Sequence, residues 1–276
     1  MFAPNIGKEY IEPAEHSVCK SDCQDFIRDK FGLISQREMA RRLGLGKTTV
    51  NRWAEEIGCK FVKNSVDDAF FDSWSEESAY VFGFIISDGN VCWNPRKSYW
   101  TLTITASEKD VSHLEKLRSL LDSTKPLLYS LETKSYRLMA TNKRLCKKLM
   151  HLGVLPRKSL TVRFPKIPKA FLKDFLRGVI DGDGNVRYVK RKRSPYFEIT
   201  IASGSKEFCE GLIAAIKRNY GIPANVRRAH GHTYVVQYCC SRGEKLAEII
   251  YSNATVFLER KYVAFDEAKK KRCKHG

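Results

Sequence analysis

Asp88 and Asp183 close two copies of one sequence unit: Val81-Phe82-Gly83-Phe84-Ile85-Ile86-Ser87-Asp88-Gly89-Asn90-Val91 returns as Leu176-Arg177-Gly178-Val179-Ile180-Asp181-Gly182-Asp183-Gly184-Asn185-Val186. Carboxylates repeated at matching positions are a pair of hard oxygen donors, suited to a divalent cation. The residues ahead of each acid must position it. Ala79, Val81, Phe82, Phe84, Ile85 and Ile86 run too densely for an exposed face and predict a helix buried nearly all round. Gly89 and Gly184 predict left-handed terminators, with a strand starting just beyond. A mid-helix glycine costs about 1 kcal/mol relative to alanine, so Gly83 and Gly178 predict two helices whose backbones touch. Asp88 and Asp183 then leave the same end of the pair. Each acid meets the negative end of its helix dipole, at a cost of roughly 0.3–1 kcal/mol per helix, and the two repel each other. A cation between or beside them removes both penalties. One such acid alone reads as a solvated helix-end carboxylate; its duplication favours the pair.

The two segments resemble the paired motifs of the LAGLIDADG homing endonucleases, in the single-chain form that carries both halves. The resemblance spans residues 74–276 and extends to Pro156-Arg157-Lys158-Ser159, Phe164-Pro165-Lys166-Ile167-Pro168 and Leu258-Glu259-Arg260-Lys261-Tyr262. It implies an α+β fold of two pseudo-symmetric αββαββα half-domains whose antiparallel sheets form a saddle over DNA. It also implies that Asp88 and Asp183 are the catalytic acids, one for each strand, holding Mg²⁺ or another hard ion such as Mn²⁺ with Ser87, Gly89 and Gly182 beside them. Cutting a phosphodiester needs an activated water, an in-line leaving oxygen and neutralisation of charge on phosphate. A hard divalent ion on carboxylates meets these needs better than any thiol set. Lys158 and Lys261 follow the closing helices of their halves by comparable stretches. The family gives such residues a catalytic role, with phosphate anchoring equally open. Asp181 sits where many motifs carry a further acid, but Ile86 stands there in the first copy, so Asp181 reads as structural. Where the family often carries a glutamine near the metal, this chain has Ala106-Ser107 and Ala202-Ser203, which leaves the water network open.

The sequence divides into an N-terminal module, 1–63, a linker, 64–73, a first half, 74–152, a proline-punctuated connector, 153–168, and a second half with a basic tail, 169–276. In the module, Ser35 to Trp53 fits a helix-turn-helix: Ser35 caps, Ala40 is small where the helices touch, and Gly44 turns. Met39, Leu43, Leu45, Val50 and Trp53 point inward. A preceding helix from Cys23 to Phe31, capped by Asp22, completes a three-helix core. Lys47, Thr48, Asn51 and Arg52 stay outward on the helix that such motifs lay in the major groove. His16, Cys19, Cys23 and Cys59 are too irregularly spaced for a zinc set, and the three cysteines read as ordinary thiols packed in a small helical domain.

Strict alternation predicts strands at Tyr99 to Thr105 and Tyr196 to Ile201. Helices follow at Val111 to Leu121 and Lys206 to Tyr220. Strand pairs come next, Tyr129 to Leu131 with Arg137 to Ala140 and Ala224 to Arg228 with Tyr234 to Tyr238. Helices at Lys143 to Leu152 and Glu244 to Tyr251 close the halves. Candidate DNA contacts are Arg96, Lys97, Tyr99, Thr101, Thr103, Ser135 and Arg137 in the first half. In the second they are Arg187, Lys190, Arg191, Lys192, Arg193, Tyr196, Glu198, Thr200, Arg227, Arg228, His230, His232 and Gln237. Arginine and glutamine on a strand can read base edges, whereas loop lysines mostly hold phosphate. Lys269 to Lys274 reads as a loose basic tail.

The formal net charge of +18 points to a polyanion, nucleic acid before anionic membrane. No apolar run approaches the ~20 residues of a membrane helix, and Met1-Phe2-Ala3-Pro4-Asn5 has no secretory pattern. Nine cysteines read as reduced thiols. The expectation is a soluble, intracellular monomer acting on double-stranded DNA, a sequence-specific endonuclease with the helix-turn-helix as a second grip. A DNA-binding regulator that has lost catalysis, or an RNA splicing cofactor, are the rival readings.

Overall fold

A computed structural model describes residues 19–31, 34, 36–59, 65–96, 98–156, 158–189 and 196–273. Ser35, His16, Lys97, Arg157, Lys190, Arg191, Lys192, Arg193 and Lys274 lie outside the described residues. The chain divides into two compact units, 1–63 and 64–276.

The first unit holds α1 (Lys20–Lys30), α2 (Gln36–Leu43) and α3 (Lys47–Glu56). Ile27, Met39, Ala40, Val50 and Ala54 form its core, with Leu43, Leu45 and Trp53 partly buried against it. Gly44 turns the chain at φ +65°, a conformation that L side chains rarely adopt. α1 starts at Lys20 with Cys19 at the N-cap, so the expected Asp22 cap lies within the first turn instead, where its charge suits the helix dipole.

The second unit is built on α4 (Glu76–Asp88) and α7 (Leu172–Asp183), each leading directly into a hairpin. The first half continues with β1 (Gly89–Asn94), β2 (Tyr99–Ser107), α5 (Val111–Leu120), β3 (Leu128–Ser130), β4 (Ser135–Ala140) and α6 (Lys143–His151). The second half has β5 (Gly184–Val189), β6 (Tyr196–Ser203), α8 (Lys206–Tyr220), β7 (Val226–Arg228), β8 (Tyr234–Cys239) and α9 (Ser241–Tyr251), followed by α10 (Glu259–Cys273). Two four-stranded antiparallel sheets result, β1-β2-β4-β3 and β5-β6-β8-β7. Their registers match, Gly89 pairing with Ile104 and Gly184 with Ile201. Leu102, Ile104 and Leu138 of one sheet and Phe197, Ile199, Ile201 and Val236 of the other enter a common core with the two motif helices.

α4 is capped by a reciprocal Ser75–Ser78 box and is buried from Ser78 to Ile86. The two mid-helix glycines are where the helices meet. A Cβ on Gly83 would overlap Phe175 O and stand 3.0 Å from Val179 N; one on Gly178 would overlap Tyr80 O and stand 2.8 Å from Phe84 N. The duplicated glycine therefore exists for backbone-on-backbone packing, as its spacing predicts.

Three expectations need correction. Gly89 and Gly184 are extended, φ −83° and −84°, and end no helix by a left-handed turn. Glycine is required because a Cβ at Gly89 would stand 2.7 Å from Ile85 O, and one at Gly184 would overlap Ile180 O. The described part of the expected linker, 65–73, is no free linker. Phe71 is in the core, Asp67 N–H donates to Leu121 O at 2.9 Å, and Asp68 and Asp72 pair with Arg144. The basic end is helical through Cys273, because Lys261, Phe265 and Ala268, at helical spacing, are buried along one face of α10.

Candidate functional site

The crossing of α4 and α7 brings Asp88 and Asp183 off the same end. Ser87 Oγ donates to Val179 O of the other helix at 3.2 Å. A Cβ on Gly182 would lie 2.5 Å from Ser87 Cβ and 3.2 Å from Asp88 Oδ2, so only glycine lets the first acid stand beside the second helix. Both carboxylates reach solvent, yet the surrounding protein strips enough water to raise both pKa values. Asp88 is pushed to about 6, by desolvation first and then by the negative charge of Asp183. Asp183 is raised by desolvation, against the pull of Lys158 and Lys261. Two carboxylates whose charge is disfavoured, at the end of two helices, are short of positive charge. Among the described residues no third His, Cys, Asp or Glu joins them. The two carboxylates offer oxygen donors alone, which fits a hard, oxygen-seeking divalent cation that keeps several waters, and not zinc; the Ser87 and Gly182 carbonyls expected beside them accept from Lys158 and Lys261.

Lys158 and Lys261, both buried, stand behind the acids. Lys158 Nζ donates to Ser87 O at 3.2 Å. Lys261 Nζ donates to Ile180 O and Asp181 O at 2.7 Å, Gly182 O at 3.1 Å and Gly184 O at 2.5 Å. Each ammonium so caps the carbonyl end of a motif helix, where the dipole favours a cation. Burial lowers the Lys158 pKa and brings that of Lys261 down to about 8, so Lys261 is still mostly charged at neutral pH. Lys261→Met is expected to cost about 2 kcal/mol or more, since hydrogen bonds to a charged group are each worth about 1.5–3 kcal/mol. Thermal denaturation should show the midpoint falling by roughly 4–8 °C; an unchanged midpoint would mean that the four carbonyls gain nothing from the ammonium.

Asp181 is buried and fully engaged, accepting from Tyr80 Oη at 2.8 Å, Tyr251 Oη at 3.2 Å and Leu258 N at 2.7 Å. Its carboxylate ties α4, α9 and the start of α10 to α7, and desolvation raises its pKa to about 6 despite these donors. Arg177, which stands where the first copy has Phe82, is buried as well. Its guanidinium donates to Val256 O, Ile250 O and Asp174 Oδ1 at 2.7–2.8 Å. Neither network was predictable from local pattern, because the partners of Asp181 lie 70 to 101 residues away in sequence.

The expected surface contacts divide. Arg96, Arg137, Arg187, Arg227, Arg228, His230 and His232 are exposed, and Tyr99, Thr103, Tyr196, Thr200 and Gln237 are half-buried. Thr101, Ser135 and Glu198 are buried and make no surface contact, which corrects their expected role. Thr101 Oγ1 lies 3.4 Å from Thr141 Oγ1, Ser135 Oγ 2.7 Å from Thr133 Oγ1, and Glu198 lies beneath Arg187. In the first unit Lys47, Thr48 and Arg52 are exposed. The Asn51 side chain is held within its own unit, accepting from Gln36 Nε2 at 3.0 Å and donating to Glu55 Oε1 at 2.9 Å.

Residues 170–260 match a LAGLIDADG-like domain. Over 206 residues, 71% of this chain and 72% of the relative, the sequence is 24% identical to an uncharacterised protein of Methanocaldococcus jannaschii. Among solved structures, that of I-DmoI in complex with DNA and Ca covers 70% of this chain and 97% of its own, at 19% identity and a TM-score of 0.50. The LAGLIDADG meganuclease I-AabMI bound to uncleaved DNA covers 70% and 91%, at 15% identity and the same TM-score of 0.50. At these identities the likeness is one of fold: the second unit has the architecture of the single-chain LAGLIDADG proteins. Among the described residues no helix is long and apolar enough to cross a membrane.

Proposed function

We propose that the chain is a sequence-specific DNA endonuclease of the homing type, making metal-dependent double-strand breaks as a monomer. The observation that carries this reading is the pair Asp88 and Asp183, set at one end of two crossing helices with their charges disfavoured. Such a pair would hold Mg²⁺ or Mn²⁺, which supplies Lewis-acid polarisation of phosphate and lowers the pKa of bound water. The chain's own residues do the rest. Gly83 and Gly178 fix the separation of the acids, and Lys158 and Lys261 hold the helix ends that carry them. The ammonium charges also offset the acids' mutual repulsion, a positioning role that stands beside the direct role in water deprotonation or phosphate binding which the resemblance implies. The exposed arginines and histidines of the two sheets and their loops supply the phosphate and base contacts.

A second reading, a DNA-binding regulator without cleavage, draws on one observation: Ala106-Ser107 and Ala202-Ser203 stand where the endonucleases often carry a glutamine. Incubating the protein with a randomised duplex library and Mg²⁺, then sequencing the cut ends, decides between them. Cuts at one recurring sequence support the enzyme. Enrichment of bound but uncut DNA supports the regulator, and binding to structured RNA alone supports a splicing cofactor.

The first unit is read as a helix-turn-helix that adds a second grip through Lys47, Thr48 and Arg52. Residues 64–276 alone are expected to cleave, since every catalytic candidate lies there, while affinity falls by ~10²–10⁴ through loss of the tethered contact. Footprinting should show Arg52→Ala shortening the protected DNA on one side only. An equal footprint and affinity after truncation would leave the three helices with no part in DNA binding.

A further inference from the structure

Arg187 and Glu198 stand directly opposite each other on β5 and β6, on the sheet face turned away from Val186, Phe197 and Ile199 of the core. The Glu198 side chain is 1% exposed and that of Arg187 57%. A buried carboxylate on a surface face is costly unless its oxygens are satisfied, and here they are. Oε1 accepts from Arg187 Nε at 3.0 Å and Nη2 at 2.8 Å and from Thr200 Oγ1 at 3.1 Å. Oε2 accepts from Gln237 Nε2 and, at 3.6 Å, from Cys239 Sγ. Glu198 thus grips the Nε–Nη2 edge of the guanidinium and is itself held by three further side chains.

This grip leaves the Nη1 hydrogens and the second Nη2 hydrogen of Arg187 pointing away from the carboxylate. Two parallel donors on a planar fork match O6 and N7 of guanine in the major groove. Fixing the fork beforehand removes the rotamer entropy that a free arginine loses on binding. The first half has no counterpart. Cys92 stands opposite Thr101 where the second half has Arg187 opposite Glu198, and Met139 opposite Thr103 where it has Gln237 opposite Thr200.

We propose that Arg187 reads one guanine in the half-site facing the second half, that Glu198 is its positioning residue, and that the half-site facing the first half lacks this determinant. The proposal rests on the reading that this sheet meets duplex DNA, and the test separates the two. Full-length protein is used to select a randomised duplex library without divalent cation, and bound DNA is sequenced. The wild type should enrich guanine at one position of one half-site, with no matching preference at the mirror position. Arg187→Ala should lower that preference by roughly 10- to 100-fold, with the preferences at other positions unchanged. Arg187→Lys, which keeps the charge but loses the fork, should lose most of it as well. Glu198→Gln should broaden the base choice at the same position alone, a change that a purely structural role would not produce. If Glu198→Gln does not fold, the two Arg187 variants decide. Unchanged preferences in Arg187→Ala, or an even loss across all positions as for a phosphate contact, would overturn the proposal while leaving DNA binding intact. A wild type that enriches no duplex would overturn the DNA-binding reading itself, and the proposal with it.

Discussion

Asp88→Asn and Asp183→Asn are each expected to lower double-strand cleavage at least about 10³-fold, because a bound divalent ion supplies several kcal/mol of transition-state stabilisation and each 1.4 kcal/mol is a factor of ten. DNA binding should persist or tighten, since a negative charge facing phosphate is removed. The variants should also be more stable than the wild type at neutral pH in the absence of metal. The Asp88 pKa is raised to about 6 in the folded protein, chiefly by desolvation, so its ionised form opposes folding above pH 6. As pH falls through 6 toward the unfolded value the acid becomes neutral, like the amide, and the advantage of Asp88→Asn should disappear. Protons also compete with the cation, so metal binding and cleavage by the wild type should decline below pH 6. Melting curves at pH 7.5 and pH 5, with and without Mg²⁺, check this: Mg²⁺ should raise the midpoint of the wild type and not that of the variants. A stability gain for Asp88→Asn that is the same at both pH values would contradict the assigned electrostatics.

The second large effect is mechanical. Gly178→Ala is expected to cost more than about 4 kcal/mol or to prevent folding, beyond the usual 1–3 kcal/mol of overpacking. The added methyl would overlap the Tyr80 carbonyl, and backbone, unlike a side chain, has no alternative rotamer. The helices would have to separate, and Asp88 and Asp183 with them. Gly83→Ala should behave alike. Gly221→Ala is the control, with φ +69° and open space around a Cβ; only its left-handed conformation is strained, at about 1–2 kcal/mol. Denaturant unfolding of the three variants ranks them. Equal, modest losses would mean that the helix contact yields more easily than its geometry implies.

Much of this was legible in the sequence because the signals were local and repeated. Two apolar segments with a central glycine and a terminal acid specified the helix pair, and strict alternation at Tyr99 and Tyr196 specified the strands that follow. What escaped was set by distant partners. Asp181 reads as structural in the sequence, as its burial bears out, but its partners Tyr80, Tyr251 and the Leu258 amide can be named only once the fold brings them to it. Glu198 alternates correctly for an outward residue, yet Arg187 and Gln237 close over it. The basic end misled through composition, since lysines at Lys269 and Lys270 suggest solvation. The spacing of Lys261, Phe265 and Ala268 nevertheless carried a helix with one buried face. Gly89 and Gly184 were placed correctly as helix ends for a mistaken reason: lack of room for a Cβ, and not a positive φ, demands glycine there.

The most direct measurement is strand-resolved cleavage of one duplex target recovered from the randomised library, comparing wild type with Asp88→Asn, Asp183→Asn and the double variant, with Mg²⁺ and with chelator. Wild type should cut both strands only when the divalent ion is present, and the double variant should bind the same duplex with equal or higher affinity and cut neither strand. A wild type that binds its target without cutting it in Mg²⁺ or Mn²⁺, or a double variant that cuts as well as wild type, would contradict the assignment of Asp88 and Asp183 as the paired acids of a metal-dependent nuclease.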